Sequence, residues 1–344
     1  MKQEKLAFDD ILLEPRFSTI KSRKHVDTMS PLGREPFEIP IISSPMDTVT
    51  EDSMALHMSK AGGLGIVHRY NSMFEQADIV AKAVKEGATN IGAAVGVTGD
   101  YLHRAKMLVQ AGANFICVDA AHGHHICMKE ALRQLRDELG FDVHLMAGNV
   151  ATAEGFQALV DWGADSVRVG IGGGSICTTR IQTGHGVPTL QSILDCAIIA
   201  RTSGVQMIAD GGIKNSGDIV KALAAGANFV MLGSLLAGTI QSPGDVVLTK
   251  HGQYKAYRGM ASQAAQSDFK GSAHHVEGVA SMIPFKGDVA GILEGLMAGV
   301  RSGLSYSGAH NILELQENCC LIRQSSSSVQ ESNPHIFLRN GTEK

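Results

Sequence analysis

The chain lacks a surplus of either charge. Its 344 residues carry 30 Lys and Arg against 34 Asp and Glu, a formal net charge of −4. Nucleic-acid-binding domains usually carry a basic surplus, so that class is not expected. No apolar run reaches the roughly 20 residues that a membrane-spanning helix needs. The start, Met1-Lys2-Gln3-Glu4-Lys5, has no apolar region behind it, so no secretion signal is expected. The six cysteines, at 117, 127, 177, 196, 319 and 320, form no Cys-x-x-Cys pair. The adjacent Cys319-Cys320 is not a zinc spacing. In a chain of this size such cysteines read as reduced thiols, and a cytoplasmic location is the expectation. His122, His124, His125 and the pair His274-His275 have no cysteine or carboxylate partners at recognised ligand spacings. A structural or catalytic transition metal is therefore not expected.

Apolar content is ample: 44% of residues are hydrophobic, enough for one large α/β core. A unit repeats through the chain, in which a helical stretch ends at Gly or Gly-Ala and a short apolar strand follows. It reads Lys60-Ala-Gly-Gly-Leu-Gly-Ile-Val67, Glu86-Gly-Ala-Thr-Asn-Ile-Gly92 and Gln110-Ala-Gly-Ala-Asn-Phe-Ile-Cys-Val-Asp119. It returns at Asp161 to Val169 and at Ala225 to Leu232. The glycine suits a left-handed helix C-cap. The apolar run after it shows little alternation, as in a strand buried on both faces of a parallel sheet.

Eight such runs start near Ile41, Leu64, Ile91, Phe115, Val143, Ser166, Val205 and Phe229. Stretches of helical period separate most of them, among them Tyr101 to Ala111, Met128 to Leu139, Ala153 to Trp162 and Asp218 to Ala225. Eight alternating units predict a single (β/α)8 TIM barrel over 1–344. A doubly wound sheet competes, but it rarely needs eight parallel strands. The glycines at 170–174 lack the strand–GxGxxG–helix context of a dinucleotide fingerprint. Two long segments interrupt the pattern: the loop after the sixth run, reaching about Pro188, and a flap at about 250–287. The tail 325–344, with four serines in a row, reads as mobile unless it docks on a neighbouring subunit.

The loop Gly170-Ile-Gly-Gly-Gly-Ser-Ile-Cys177-Thr-Thr179 stands out. Glycines let a backbone approach a ligand closely and offer N–H groups to an anion. Cys177 there is either a reactive thiol or a small buried hydrophobe, and the loop alone does not choose. Functional residues of such barrels sit just past the strand C-termini. Those ends read Ser43-Ser44-Pro45-Met46-Asp47, His68-Arg69-Tyr70, Asp119-Ala-Ala-His122, Gly148-Asn149, the Cys177 loop, Asp210-Gly211-Gly212 and Gly233-Ser234. The last two strands commonly hold a phosphate. Asp210 would repel one, but as a bidentate acceptor it suits ribose hydroxyls. Together these ends suggest a nucleoside monophosphate. Alone, Gly211-Gly212 would be no more than a tight turn.

Long ordered segments then resemble the IMP dehydrogenase/GMP reductase family. They are Phe8 to Pro15, Ile42 to Val49, Ala147 to Val150, Gly170 to Gly186, Ala209 to Ile213, Met231 to Ser234 and Tyr257 to Met260. The resemblance runs over about residues 5–335. It implies attack of a cysteine thiolate on C2 of a purine monophosphate, GMP or IMP, with redox exchange with a nicotinamide. It implies Cys177 as nucleophile, with Thr179 and Glu277 managing protons. Ser44, Met46, Ser175, Asp210, Gly212, Gly233, Ser234, Tyr257, Gly259 and Met260 would bind the nucleotide, and Gly278 would reach the base edge with Glu277. Asp119, Asn149, Arg168, Gly170 and Gly172 would line the cofactor side. The carbonyls of Gly172, Gly174 and Cys177 match a loop that holds a monovalent cation, K+, in dehydrogenase members. The family also implies a homotetramer.

Two reactions share this machinery. The dehydrogenase oxidises IMP with NAD and must hydrolyse a covalent thioimidate, for which members resemble one another in an Arg-Tyr pair on the flap. Here the flap reads Ser262-Gln-Ala-Ala-Gln-Ser-Asp-Phe-Lys-Gly-Ser-Ala-His-His275, without Arg-Tyr. The reductase needs no such water: it takes GMP and NADPH to IMP and ammonia. The chain also lacks the CBS pair that most dehydrogenases insert before the third strand. Both absences favour the reductase. Against it, Asp119-Ala-Ala-His-Gly123 and Gly65-Ile-Val-His-Arg69 look more like bacterial dehydrogenases, with His274, His275 or Lys270 as a substitute base. A third reading is a purine-nucleotide-binding barrel without turnover, which would not require a thiol.

Overall fold

The computed structural model describes residues 4–273 and 275–332. Eight parallel strands close into a barrel. They are β1 (Ile41–Ser43), β2 (Leu64–Val67), β3 (Ile91–Val95), β4 (Phe115–Asp119), β5 (His144–Val150), β6 (Ser166–Val169), β7 (Gln206–Asp210) and β8 (Phe229–Leu232). Closure is direct: β8 pairs with β1 in the register Val230↔Ile41 to Leu232↔Ser43. The (β/α)8 expectation holds, with strand starts within a residue or so of those read from the sequence.

The continuous apolar runs make sense once the two faces of each strand are separated. On β4, Phe115 and Cys117 join Ile42, Leu64, Ile66, Met146, Ile208 and Met231 inside the barrel. The alternate residues Ile116 and Val118 pack outward against the helices. Both faces are dry, so no alternation survives in the sequence. The helices that cover the barrel are α1 (Asp52–Lys60), α2 (Met73–Lys85), α3 (Tyr101–Gln110), α4 (Ile126–Leu139), α5 (Ala153–Asp161), α6 (Thr189–Ser203), α7 (Ser216–Ala224) and α8 (Val289–Tyr306). On α4 the buried set is Met128, Ala131, Leu132 and Leu135, one helical stripe.

The repeated Gly-Ala ends five of these helices in one way. After α3, Gly112 takes φ 107; its N–H bonds the Val109 carbonyl, and that of Ala113 bonds Leu108. This is a Schellman closure, which satisfies the orphan carbonyls of the last turn and turns the chain into the next strand. Gly62, Gly87, Gly163 and Gly226 repeat it, all with positive φ.

The floor of the barrel is plugged by a hairpin of Ser30–Leu32 and Glu35–Phe37. Phe37 is buried edge-on to Phe115 and Phe229, with centroids 5.7 and 5.6 Å away. At the opposite rim, β8 leads into a flap sheet of β9 (Val247–Thr249), β10 (Gly252–Arg258) and β11 (Ala280–Pro284), with a helix Gln263–Lys270 between the last two. In the tail, order extends further than the serine run suggests. Ser325 caps a short helix Ser326–Glu331, and Gln324 bonds the carbonyls of Asp9 and Ile11. The rest of the tail, 333–344, and His274 lie outside the described residues. No helix among the described residues is long and apolar enough to cross a membrane.

Candidate active site

One cavity of about 730 Å³ opens at the C-terminal rim, between the strand ends, the Cys177 loop and the flap. Every residue the sequence nominated for the site lines it, from Ser44 to Gly278. The backbone explains why the loop is glycine-rich. Gly170 follows β6 at φ 145, and a Cβ there would lie 1.9 Å from the Asp210 carbonyl oxygen. A Cβ on Gly173 would meet the Thr189 hydroxyl at 2.4 Å. The loop is thus pressed backbone to backbone onto Asp210-Gly211-Gly212, with no room for side chains between them.

The loop ends at the thiol. Cys177 is half-buried, and its neighbours tie it to the flap. Cys177 and Gly278 form an isolated β-bridge, the Thr178 N–H bonds the Glu277 carbonyl at 2.8 Å, and the Val279 N–H bonds that of Ile176 at 3.0 Å. This brings three polar side chains into line. The Cys177 Sγ donates to Thr179 Oγ1 at 3.1 Å, and Thr179 Oγ1 donates to Glu277 Oε2 at 2.7 Å. The line is a ready proton path between the thiol and a carboxylate. The other thiols differ. Burial pushes Cys117, beneath the rim, up to about 11, and Cys196, under α6, up to about 12. Those two remain protonated small hydrophobes.

Behind the thiol lies a buried ion network. Arg168, 5% exposed, donates from Nη1 to Asp119 Oδ1 and from Nη2 to Asp210 Oδ2, both at 2.9 Å. Burial alone would raise the Asp119 carboxyl, but Arg168 and Arg69 outweigh it and hold the group below the ordinary carboxylate range. The Asp210 and Asp119 carboxylates keep the guanidinium charged against its own desolvation. Asn149 donates from Nδ2 to Asp210 Oδ2 and to the Gly170 carbonyl, both at 2.8 Å. With both partners acceptors, the amide orientation is fixed. Its Oδ1 is then buried without a partner. Asp210 likewise commits Oδ2 to two donors, while Oδ1 takes part in none of the protein hydrogen bonds described. Sequence reasoning put Arg168 on the cofactor side. It does line the cavity; its Nη1 and Nη2 donate to Asp119, Asp210 and Cys117, while its buried Nε has no partner.

The opposite wall is closely packed around Gly233. A Cβ on Gly233 would come within 3.2 Å of the Ser44 hydroxyl, the Met46 sulfur and the Tyr257 hydroxyl. Burial raises the Tyr257 phenol above its ordinary value, so it stays a donor, 3.5 Å from Ser175 Oγ. The Gly174 carbonyl of the expected cation loop accepts the Cys177 N–H at 3.1 Å, which leaves it one lone pair. Among the described residues no group of three or more His, Cys, Asp or Glu is placed to hold a metal.

Among the cavity residues given no role from the sequence are Arg69, Tyr70 and Arg180. Arg69 donates from Nε to Asp119 Oδ2 at 3.3 Å, Tyr70 stacks on Phe269 of the flap helix at 4.8 Å, and Arg180 threads its stem between Gly172 and Gly186. The rim rule already pointed at Arg69 and Tyr70, past the end of β2. Nothing in the sequence pattern pointed to their partners.

The fold and the cavity define a class: a (β/α)8 barrel that presents an accessible cysteine on a glycine loop, roofed by a flap after the eighth strand. The model of the IMP dehydrogenase / GMP reductase domain matches residues 5–335. The chain belongs to that family, whose members are purine-nucleotide oxidoreductases. It is 36% identical to an inosine-5'-monophosphate dehydrogenase of Nitrosopumilus maritimus, over 98% of this chain and 99% of the relative. It is 32% identical to a GMP reductase of Leishmania major, over 96% and 97%. A solved structure of a GMP reductase variant from Trypanosoma brucei, in complex with guanosine 5'-monophosphate, superposes with a TM-score of 0.92 at 30% identity, covering 98% of this chain and 99% of that one.

Proposed function

We propose that this chain is a GMP reductase, taking GMP and NADPH to IMP, NADP and ammonia. The observation that carries the reading is what the flap lacks: 262–275 holds no Arg-Tyr pair, and Arg258 belongs to the Tyr257–Met260 segment and does not replace it. The sequence has one arginine between 250 and 287, Arg258. Its Nε and Nη2 are held by Asp47, at 2.8 and 2.7 Å, and its Nη1 by Asp268. An arginine engaged by two carboxylates is not available to activate water, the step the dehydrogenase must have and the reductase omits.

The residues suit the remaining steps. Ribose hydroxyls would meet Asp210 Oδ1, and the phosphate the N–H groups around Gly212, Gly233 and Ser234. The purine C2 would face Cys177. The thiol passes its proton through Thr179 to Glu277, and the thiolate forms a bond to C2. The amine leaves as ammonia, protonated back along the same path. A reduced nicotinamide supplies the hydride to C2, and the thiolate departs as IMP forms. With two protons taken up, GMP and NADPH balance IMP, NADP and ammonium.

Compactness supports the reductase less than the flap does. The Leishmania major reductase aligns over 476 positions, and a dehydrogenase of Cryptosporidium parvum, 37% identical, over 383. Length therefore separates the two reactions poorly. The dehydrogenase reading keeps one observation of its own: His275 lines the cavity at φ 53, where an imidazole could serve as base.

A paired assay tests the proposal by nicotinamide absorbance. GMP with NADPH should lose signal, and IMP with NAD and potassium should stay flat. Signal gain in the second cuvette with none lost in the first would replace the proposal with the dehydrogenase. Silence in both would point to a binding module.

A further inference from the structure

The geometry points to Arg258 as a positioning residue that clamps the flap helix Gln263–Lys270 to the barrel rim and so holds Glu277 at the thiol path. The clamp has two arms on one guanidinium. One reaches down to Asp47, just past β1, whose carboxylate is 9% exposed. The other reaches across to Asp268, near the C-terminal end of the flap helix. The backbone joins in: the Arg258 N–H bonds the Thr48 hydroxyl at 3.2 Å, and the Asp47 N–H points at the Met260 sulfur at 3.3 Å. One residue beyond Asp268, Phe269 stacks on Tyr70 past β2, with planes 20° apart. The C-terminal end of the helix is thus tied to two different strand ends.

Its N-terminal end is tied to Glu277. The Ala261 carbonyl accepts the Glu277 N–H at 3.0 Å, and Ser262, the N-cap, bridges Gly278. A rigid helix links these attachments, so freedom at the Asp268 end becomes freedom at Glu277. Only an arginine can make this joint, because a planar fork reaches two carboxylates where an ammonium acts as a point charge. The inference concerns flap placement and is independent of which of the two reactions the chain runs.

The test uses the full chain and the variants Asp268→Asn, Asp268→Glu and Arg258→Lys. Asp268 is exposed and touches no part of the cavity, so its removal should leave the melting temperature unchanged. Two readouts follow: kcat and nucleotide KM in whichever cuvette is active, and the rate of Cys177 alkylation by iodoacetamide, read by peptide mass. An exposed charge-assisted bond is modest, so Asp268→Asn should lower kcat about 5-fold with KM within about twofold. Alkylation should quicken about 3-fold as the flap loosens, Asp268→Glu should recover most of the loss, and Arg258→Lys should behave as Asp268→Asn. Wild-type alkylation and kcat in Asp268→Asn would overturn the clamp. Alkylation needs no turnover, so the clamp stands or falls even if neither cuvette responds.

Discussion

The two ends of the barrel are built from the same eight strands and are opposite in character. At the floor, Phe37 meets Phe115 and Phe229 edge to face. The buried His144 finds Ser166 at 2.8 Å, with the hairpin turn at Gly33 set against its ring. At the rim, side chains are absent where the backbones press together, and a buried acceptor on Asn149 goes without a partner. One end spends its residues on packing. The other leaves polar capacity unused by the protein, the condition for binding something else. The contrast teaches where to expect loss of activity without loss of fold, and the reverse.

The sharpest break is at the thiol. Cys177→Ala should cut turnover by at least about 1,000-fold while GMP affinity, measured by calorimetry, stays within about threefold. The melting temperature should not fall, since the site is half-buried and already open. Unchanged turnover would remove the covalent step. Next comes the floor. Phe37→Ala should cost about 3–5 kcal/mol in denaturant unfolding, through lost burial and a cavity, with kcat near wild type at low temperature. A variant that lost activity in proportion would mean that the ends are not separable.

The floor also carries a pH signature. Burial lowers His144 from 6.5 to about 4; Asp165 opposes the shift weakly and Arg136 adds to it. The folded state therefore prefers the neutral ring. Its contribution is intact above pH 6.5, declines as pH falls from 6.5 toward 4, and amounts to about 3 kcal/mol in all. Urea midpoints across that window should fall in the wild type and flatten in His144→Gln. The smallest expected effect returns to the rim. Glu277→Gln keeps the size of the side chain and removes the proton acceptor, so kcat should drop about 100-fold. Equal kcat values would assign Thr179 another partner.

The barrel was legible because its punctuation is local. A helix end followed by Gly-Ala needs only its own turn to explain it, and five repeats set the register of the whole fold. The rim was legible through a rule of position: residues just past a strand end face the same space, whatever packs elsewhere. Partnerships were not. That Arg168 joins Asp119 to Asp210 depends on β6 lying beside β7 and reaching across β5 to β4, at separations of 49 and 42 residues. Phe37 drew no reading from the sequence, because its place depends on the hairpin folding under the barrel. The glycine loop singled out Cys177 without choosing between a reactive thiol and a buried one. Only burial separates the inert Cys117 and Cys196 from Cys177, and burial belongs to the assembled chain.

The glycine run at 170–174 has a consequence for how such a protein could decay. Gly170 answers to the carbonyl of Asp210, Gly173 to the hydroxyl of Thr189 and Gly172 to the stem of Arg180, constraints of packing. A descendant that lost its thiol and kept only a regulatory duty would still have to retain them, or the rim would not close. The glycines are thus held by the packing of the rim, separately from whatever stands at position 177.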